Sequence, residues 1–523
     1  MPSYSLSRVA AAPVTPFSMD ANLYTLFRSH FSEGPEQPFA MVPDGPVIHY
    51  DELAALSARY AHALRDAGCN PGDRIAVQSD KHWQVVALYL ACLRAGCIYL
   101  PLNTGYQRAE LAYFFGDAEP RVVVCRPEAE GVIAPLAPTA KVLTLGAAGG
   151  SLDERARNAP DDFETVASAP DDLAAILYTS GTTGRSKGAM LTHRNLASNA
   201  VTLVEEWGFV RGDVLLHALP IYHVHGLFVA IHCVLLAGAR MLWLSKFDSV
   251  EVTALLPRAT VMMGVPTFYT RLLAEPSFGR EACRTMRLFV SGSAPLLPET
   301  FTAFEARTGH RILERYGMTE TGMNTSNPLD GKRIGGTVGP PLPGVDLRIL
   351  DEQGTPCAPG IVGAIEVKGP NVFPGYWRLP DITRNEFTVD GFFRTGDLGT
   401  WTPEGYVQIV GREKDLIITG GLNVYPKEIE EYIDALEGVA ESAVIGLPDA
   451  DFGEAVTAVI VPRPGQALSE HAIISALKAD IAGFKVPKRI LFMAELPRNA
   501  MGKVQKNILR EHAADAIKSV LSP

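Results

Sequence analysis

The sequence predicts an α/β protein with a large N-terminal domain, a small β-rich subdomain within it, and a C-terminal α+β domain. With 523 residues, the chain exceeds the roughly 250–300 residues that one hydrophobic core supports. Short apolar runs alternate with helix-like segments up to about residue 340, an order typical of βα units and parallel sheets. Short strands punctuated by Gly and Pro follow, and the pattern changes again after 412. We therefore expect an N-terminal domain over 1–412, with the β-rich subdomain at about 340–412, and a C-terminal domain over 413–523.

The apolar runs of the N-terminal domain predict buried strands, because they are short and rich in β-branched residues. They occupy 73–79, 97–103, 121–125, 174–180, 240–244, 259–265 and 286–292. Helix-like segments between them occupy 82–95, 107–116, 192–206 and 298–308. Thr192 is suited to cap the third of these helices, since its hydroxyl can accept a hydrogen bond from the first turn.

The C-terminal domain shows its own order of elements. The pattern predicts a helix at 426–436, strands at 441–447 and 455–462, a helix at 468–482 and a strand at 489–493. Helices and strands of this length can form a compact α+β unit around a separate core.

Composition restricts the classes of function. The net charge of −11 argues against a nucleic-acid partner, which requires clustered Lys and Arg. The apolar runs are much shorter than the roughly 20 residues of a membrane span, so no membrane is expected. The seven cysteines have no paired CxxC spacing, which favours a reducing cytoplasm. The first 19 residues contain no acid, as in organelle transit peptides, so the mitochondrial matrix is the alternative location. Monomer and homodimer both remain open.

The stretch "LYTSGTTGRSKGAMLTHRN" at 177–195 is a glycine- and hydroxyl-rich loop. We expect it to join a strand directly to the helix that Thr192 begins. Glycines allow backbone N–H groups to approach a phosphate closely, and hydroxyl groups add further donors. The spacing differs from the GxxxxGK[ST] loop of P-loop NTPases, since four residues after Gly181 stands Ser186. The loop is therefore suited to an oligophosphate, with a plain connector as the alternative.

Five further stretches accompany this loop, and together they resemble the adenylate-forming superfamily of acyl-CoA synthetases, coumarate ligases, luciferases and adenylation domains. The stretches are "SGSAPL" at 291–296, "ERYGMTET" at 314–321, "FRTGDLG" at 393–399, "GREKDLIITGGLNVYP" at 411–426 and "PRNAMGKVQKN" at 497–507. Longer strings such as "ALPIYHVHGLF", "MGVPTFYTRLL" and "ERYGMTETGMNTSNPLDG" are similar to malonyl-CoA synthetases, a narrower group within it.

The resemblance implies a two-step reaction that uses ATP, Mg²⁺ and coenzyme A. A carboxylate attacks the α-phosphorus of ATP, diphosphate leaves, and a thiol then displaces AMP to form a thioester. A short dicarboxylic acid, most closely malonate and with methylmalonate as a variant, is the implied substrate. The implied nucleotide-binding residues are Thr179, Ser180, Gly181, Thr182, Thr183, Gly184, Lys187, Gly292, Ser293, Ala294, Pro295, Glu314, Arg315, Tyr316, Gly317, Met318, Thr319, Asp397 and Arg412.

The resemblance also assigns catalytic and moving parts. Lys503, Glu320, Thr319 and His223 are the implied catalytic residues, and Glu320 with Thr182 would hold the metal. A lysine is a compact charge that can reach both the acid and the α-phosphate. Because Lys503 would block the thiol, the C-terminal domain must rotate, with Lys414 as the hinge. The implied coenzyme A tunnel contains Gly420, Gly421 and Leu422. For "MTET", a plain helix start is the alternative interpretation.

The acid pocket is expected at His223, Val224, His225, Arg271, Arg287, Ser291 and Met318. A dicarboxylate needs a cation for its distal group, because burying an unpaired charge is very unfavourable. Arg271 and Arg287 are the candidate cations. A structural role for Arg287 and a solvated position for Arg271 are the alternatives.

Other functions of the same superfamily stay open at this point. They are ligation of another short or aromatic acid, loading of a carrier protein in trans, and a luciferase-like oxidation. A chain that ends soon after the Lys503 motif favours the free-standing ligase.

Overall fold

The computed structural model describes most of the chain, namely residues 21–31, 37–179, 186–419, 422–449, 452–481, 483–499 and 502–521. Several predicted site residues lie outside these ranges. They are Ser180, Gly181, Thr182, Thr183, Gly184, Gly420 and Gly421. The segment considered as a transit peptide also lies outside.

The first large sheet has eight strands in the order β14-β13-β12-β11-β9-β10-β1-β2. Its central pairs are parallel, and β2 and β14 run antiparallel at the two edges. Its strands are β1 (Pro38–Met41), β2 (Val47–His49), β9 (Val214–His217), β10 (Arg240–Trp243), β11 (Val261–Gly264), β12 (Leu288–Ser291), β13 (Leu313–Met318) and β14 (Gly322–Ser326).

The second large sheet has six strands in the order β6-β5-β3-β4-β7-β8. Its strands are β3 (Arg74–Gln78), β4 (Ile98–Pro101), β5 (Val122–Cys125), β6 (Lys141–Thr144), β7 (Leu173–Thr179) and β8 (Lys187–Thr192). All its pairs are parallel except β7 with β8. The seven predicted strands are therefore all present, in mostly parallel sheets.

Strand β8 corrects one expectation. The glycine-rich loop does not lead directly from a strand into a helix, because the chain first returns along β7 as the antiparallel strand β8. The loop is therefore the connection of a hairpin. The helix then begins as expected, with the Thr192 hydroxyl accepting from the backbone N–H of Asn195 at 3.1 Å.

Helices cover the two parallel sheets and connect their strands. In the N-terminal part they are α1 (Leu23–Phe31), α2 (Tyr50–Asp66), α3 (Trp83–Arg94), α4 (Arg108–Ala118), α5 (Glu130–Ile133), α6 (Ser151–Ala156), α7 (His193–Glu206), α8 (His232–Ala237), α9 (Ser249–Leu255), α10 (Pro266–Ala274), α11 (Pro298–Thr308) and α12 (Pro380–Glu386). Helix α3 is buried over nearly its whole length between the layers, as its apolar sequence "VVALYLACL" predicts.

A four-stranded antiparallel sheet follows, with the strands in chain order. Its strands are β15 (Asp346–Leu350), β16 (Gly363–Lys368), β17 (Phe393–Trp401) and β18 (Val407–Arg412). It lies in the segment expected to be β-rich, and its last residue, Arg412, coincides with the predicted end of the N-terminal domain. The division into domains itself stays a prediction.

The last sheet has five strands and its own helices. They are β19 (Ile417–Thr419), β20 (Leu422–Val424), β21 (Val439–Asp449), β22 (Gly453–Pro462), β23 (Arg489–Phe492), α13 (Pro426–Asp434), α14 (Glu470–Asp480) and α15 (Lys506–Leu521). Its apolar side chains form separate clusters that include Ile429, Val444 and Leu477. A core of its own is what the α+β pattern predicts.

Burial is otherwise concentrated between the two large sheets. One cluster there joins α1–α3, both sheets and the four-stranded sheet. All seven cysteines are free thiols, six of them buried. Within the described ranges, no helix has both the length and the apolar character needed to cross a membrane.

Candidate active site

The two ends of the glycine-rich loop meet at the tips of β7 and β8. Thr179 pairs in register with Lys187. The Lys187 ammonium is almost fully buried and lies 2.6 Å from Glu386 Oε1, at the end of α12. It also lies 4.0 Å from the centre of the Tyr376 ring. The loop thus delivers a buried cation to this edge of the six-stranded sheet, as a phosphate site requires.

Glu320 lies beside this lysine, in the turn between β13 and β14. Its carboxylate is 6% exposed and accepts hydrogen bonds from Tyr376 at 3.1 Å and from Thr179 at 3.4 Å. Desolvation by burial raises the pKa of Glu320. Thr319, the preceding residue, is half-buried in the same turn.

The donor set around Glu320 fits a Mg²⁺ ion. This hard cation prefers one or two carboxylates together with phosphate oxygens, rather than a cage of protein ligands. Among the described residues, no group of three or more His, Cys, Asp or Glu side chains is placed to hold a metal ion. Of the two expected ligands, Glu320 is in place, and Thr182 lies outside the described residues.

The expected purine and ribose residues surround the carboxyl end of β12 and β13. Gly292, Ser293, Ala294 and Pro295 form the loop after β12. Ser293 has a φ of 71°, a left-handed conformation that a non-glycine residue adopts mainly at functional sites. On β13, the Tyr316 hydroxyl donates to Asp397 Oδ2 at 2.5 Å.

Asp397 is also paired with Arg412, whose Nε lies 2.7 Å from Asp397 Oδ1. Asp397 is only 4% exposed, so it is held by Tyr316 on one side and Arg412 on the other. The three residues that were expected to meet the nucleoside are therefore in contact with each other. Glu314, which lies two positions before Tyr316 on β13, is also buried. This burial raises the pKa of Glu314 to about 8.

Lys503 lies near Asp397 and Arg412 although it belongs to the C-terminal part, between β23 and α15. The neighbouring Gly502 packs against Thr267 of α10, so the segment contacts the N-terminal part. The Lys503 backbone is fixed by Asn499, whose Oδ1 accepts from its N–H at 3.0 Å. Desolvation in the cleft and the charge of Arg412 lower the pKa of Lys503 to about 8, although its side chain stays accessible to solvent.

The histidines of "YHVHG" form a second cluster next to the nucleotide residues. Val224 is buried, and His225 begins a π-helical turn over His225–Ile231. Such turns occur often at functional sites. The two histidines are linked, because the His225 N–H donates to His223 Nδ1 at 3.3 Å. His225 Nδ1 lies 3.2 Å from Ser293 Oγ, which joins this cluster to the purine loop.

Arg315 is the cation of this cluster. It lies on β13 between Glu314 and Tyr316, and side chains alternate along a strand, so its guanidinium leaves on the opposite face from theirs. It packs over Gly292, where an added Cβ would be 2.3 Å from Arg315 Cζ. Its charge helps to lower the pKa values of both histidines, after desolvation, and that of His223 falls to about 4. Arg315, which we expected among the nucleotide residues, thus lies between the purine loop and the histidines, on the face of β13 opposite Glu314 and Tyr316.

The comparisons with known proteins agree with this geometry. A family model described as AMP-binding enzyme matches residues 27–377, and a model of the AMP-binding enzyme C-terminal domain matches residues 428–503. The mitochondrial malonate–CoA ligase of Mus musculus is 38% identical over 502 residues, with 88% of this chain and 86% of the relative covered. A feruloyl-CoA synthase of Amycolatopsis sp is 36% identical over 471 residues, with 89% and 94% covered.

A solved structure matches even more extensively. ATP-bound MatB from Rhodopseudomonas palustris superposes with a TM-score of 0.93 at 55% identity, and the match covers 95% of this chain and 99% of that one. The chain belongs to the AMP-binding enzyme family. The predicted superfamily, the predicted fold class and the predicted class of enzyme, an acid–thiol ligase, are thereby confirmed.

Of the two arginines of this AMP-binding enzyme that were expected in the acid pocket, Arg287 has a structural partner and Arg271 is exposed. Arg287 stands at the opposite end of β12 from Ser291, and it forms a two-pronged ion pair with Asp213 at 2.6 and 2.7 Å. It is therefore a structural cation. Arg271 is exposed on α10, whose buried side carries Tyr269 and Leu272. Ser291 and Met318 do lie at the carboxyl ends of β12 and β13, beside the histidines and Arg315.

Of the expected hinge and tunnel residues, Lys414 and Leu422 lie within the described ranges. Lys414 is exposed in a short 3₁₀ turn, Glu413–Asp415, which links the four-stranded and five-stranded sheets. Leu422 begins β20 and is 48% exposed, unusual for a leucine. Both positions suit a boundary that changes contacts when one part rotates.

Tyr376 and Glu386 are site residues that the sequence did not reveal. Tyr376 stands in "PGYW", and this segment pairs with β8, since the Trp377 N–H donates to Gly188 O at 2.7 Å. Glu386 is separated from its partner Lys187 by 199 positions. No local pattern marks either residue, because only the fold brings α12 to the glycine-rich loop.

Proposed function

We propose that this AMP-binding enzyme is a malonate–CoA ligase, which converts malonate, ATP and coenzyme A into malonyl-CoA, AMP and diphosphate. Methylmalonate is the closest alternative acid. The name of the Mus musculus relative, a malonate–CoA ligase, supports a CoA ligase, and the family, AMP-binding enzyme, supports AMP as a product. The observation that carries the choice of acid is the buried, uncompensated charge of Arg315.

The surroundings of Arg315 are those of an anion site. Its Nε and Nη2 are buried and have no hydrogen-bond partner among the described residues. The same holds for His225 Nε2 and Ser291 Oγ close by. Burial lowers the pKa of Arg315 to about 9, so it is still charged at neutral pH. A buried cation without a partner is costly, and the distal carboxylate of malonate would supply one.

An aromatic or long-chain acid fits this pocket poorly. The feruloyl-CoA synthase relative shows that the family includes enzymes named for aromatic acids. Such an acid would leave Arg315, which is only 4% exposed, desolvated and unpaired. A short acid with a second negative group is therefore favoured.

In the first step, residues of the chain stabilise negative charge at two places, the α-phosphate and the outer phosphates. Lys503 approaches the acid carboxylate and the α-phosphate, and it stabilises the charge that develops as the carboxylate oxygen attacks phosphorus and diphosphate leaves. Lys187 and Thr179 bind the outer phosphates. When bound at Glu320, Mg²⁺ supplies neutralising charge for the phosphate oxygens. Tyr316, Asp397 and Arg412 hold the nucleoside.

In the second step the thiol of coenzyme A attacks the acyl carbonyl, and AMP leaves. Lys503 closes the site from the C-terminal side, since Gly502 is docked on Thr267. We infer that this side opens by rotation about Lys414, which would bring the β19–β20 segment with Leu422 towards the thiol.

Substitution of Arg315 by methionine tests the assignment of the acid. Met keeps much of the volume and removes the charge. We expect kcat/KM for malonate to fall about 10²–10³-fold, because a buried charge partner is lost. Activity with propionate, which has no distal carboxylate, should be retained or should rise. Diphosphate release in the presence of coenzyme A measures both, across malonate, methylmalonate, sulfoacetate, propionate and ferulate.

Arg271→Met is the matched control, because it removes an exposed arginine from the same part of the molecule. It should leave the acid preference unchanged. A wild-type enzyme that prefers propionate or ferulate would contradict the malonate assignment. An Arg315→Met variant with undiminished malonate turnover would contradict the role given to Arg315.

We also propose a cytoplasmic location. All seven cysteine thiols are free, and thiols persist in reducing compartments. Fractionation of the source cells, with recovery of the enzyme outside the cytoplasm as the contrary result, checks this location.

A further inference from the structure

A chain of four side chains links the phosphate-binding lysine to the expected metal ligand. Lys187 Nζ lies 2.6 Å from Glu386 Oε1, and the other oxygen of Glu386 accepts from the Tyr376 hydroxyl at 2.8 Å. The same hydroxyl lies 3.1 Å from Glu320 Oε1. Tyr376 is 3% exposed and Glu320 6% exposed, so most of the chain is shielded from water.

The hydroxyl at the centre of this chain cannot satisfy both carboxylates. A phenol carries one hydrogen and donates one strong hydrogen bond at a time. Glu386 has a second partner, Lys187, whereas among the described residues Glu320 has in addition the long contact with Thr179 at 3.4 Å and a hydrogen bond from its own backbone N–H. Glu386 and Glu320 therefore compete for the hydrogen bond from the Tyr376 hydroxyl. The ion pair between Glu386 and Lys187 determines how strongly Glu386 accepts this bond.

The position of Lys187 likewise depends on a partner of opposite charge. Its side chain is 9% exposed, and a buried ammonium without a counter-ion is strongly unfavourable. In the ligand-free enzyme, Glu386 supplies that counter-ion. Nucleotide phosphate, which Lys187 is proposed to bind, would supply another counter-ion. Its negative charge would repel the Glu386 carboxylate, which lies 2.6 Å from the same ammonium.

We propose that Glu386 is a positioning residue that stands in for the nucleotide phosphate: it holds Lys187 at the loop edge in the ATP-free enzyme and gives it up when ATP binds. The inference rests on the proposed role of Lys187 in phosphate binding. On release of Lys187, Glu386 keeps its bond with Tyr376, and the loop edge remains ordered for the next turnover. ATP binding is thus weakened by the ion pair that it must replace.

The test is a double-mutant cycle on ATP affinity, measured by isothermal titration calorimetry with Mg²⁺ and without acid or coenzyme A. Glu386→Gln keeps the shape and the acceptor for Tyr376 but removes the charge. We expect this variant to bind ATP about tenfold more tightly. This is the change expected when one charged hydrogen bond, between Lys187 and Glu386, no longer competes with ATP. Lys187→Met should bind ATP more weakly, and in that background Glu386→Gln should have no further effect.

Glu404→Gln is the matched control, since Glu404 pairs with Lys332 at the surface, at 3.8 Å, with both side chains exposed. It should leave ATP affinity unchanged. Equal or weaker ATP binding by a folded Glu386→Gln variant overturns the proposal, and so does a tightening that persists in Lys187→Met. If Glu386→Gln does not fold, Glu386→Asp, which withdraws the carboxylate by one methylene, must show the tightening instead. Unchanged ATP affinity in Lys187→Met would refute the proposed phosphate site itself.

Discussion

Lys503 is the residue whose chemistry the proposed function uses most directly. It is a cation held close to Arg412 and Asp397 in a partly desolvated cleft, and its pKa is lowered to about 8. A lysine with a lowered pKa is charged below that value and neutral above it. The proposed role needs the charged form, so the pH dependence of adenylation reports on it.

We expect kcat/KM for adenylation to decline as pH rises through about 8, since kcat/KM follows the ionisation of the free enzyme. Lys503→Arg should lose activity and shift this decline to higher pH, because arginine stays charged. Lys503→Ala should nearly abolish adenylation and leave thioester formation from preformed adenylate much less affected. Diphosphate release between pH 6 and 10 measures the profile.

Two other groups of the site have a pKa near this range, Glu314 at about 8 and Arg315 at about 9. The arginine variant separates Lys503 from both of them. A decline that stays at the same pH in Lys503→Arg assigns it to Glu314 or Arg315 rather than to Lys503, and equal loss of both half-reactions in Lys503→Ala contradicts the role given to Lys503.

The surroundings of individual side chains were also the least completely predicted from the sequence. The motif "ERYGMTE" predicted where Tyr316, Thr319 and Glu320 lie, because the strand and turn carry them together. It did not predict that Arg315 leaves β13 on the opposite face from Glu314 and Tyr316, although the alternation of a strand gives that answer once β13 is known. Arg287 looked equally suitable in sequence, but its partner Asp213 is 74 positions away.

At the scale of elements, the π-helical turn at His225–Ile231 depends on close packing of Gly226. A Cβ at this position would lie 2.0 Å from the carbonyl oxygen of Pro220. His217 Nε2 lies 2.9 Å from Gly226 O and holds the turn from the other side. The turn and the two histidines at its start, His223 and His225, therefore have little room to move.

Gly226→Ala should lower the free energy of unfolding by about 1–3 kcal/mol, as overpacking does. It should also raise KM for malonate more than KM for ATP, because His225 begins the displaced turn. Chemical denaturation and steady-state kinetics measure the two effects. Gly116→Ala is the control, since a Cβ there meets no atom within 4 Å. Wild-type stability and KM in Gly226→Ala would contradict this reading of the turn.

Long apolar elements were predicted more completely than short or polar ones. The seven predicted N-terminal strands and the predicted C-terminal elements follow from hydrophobic period and length, which local sequence sets. The other strands of the two large sheets were not predicted, namely β1, β2, β6, β8, β9, β13 and β14. Strand β8 was missed, because "KGAMLT" is short and merges with the start of α7. Its partner is β7, and pairing across a glycine-rich hairpin is decided by tertiary contacts rather than by propensity.

At the scale of the whole molecule, the proposed two-step reaction requires the C-terminal part to change position between the steps. The structure shows Lys503 close to the ribose residues, an arrangement suited to adenylation. The connection runs through Lys414, in an exposed 3₁₀ turn between two sheets. A change of backbone angle at one exposed residue can rotate a whole domain.

Lys414→Pro should therefore separate the half-reactions. Proline fixes φ near −65°, so the adenylating arrangement is retained while rotation is hindered. We expect adenylation to stay near wild type and thioester formation to fall by about 10²-fold, the usual cost of misplaced groups. Single-turnover assays of each step measure this, with Lys414→Ala as the control that removes only the side chain. An equal loss in both steps would argue against a hinge here.

The products formed from ATP, malonate and coenzyme A, followed by ³¹P NMR and mass spectrometry, test the proposed function most directly. A malonate–CoA ligase of this kind yields AMP and diphosphate, with one malonyl-CoA formed for each AMP. Formation of ADP and orthophosphate, or consumption of ATP without any thioester, would contradict it.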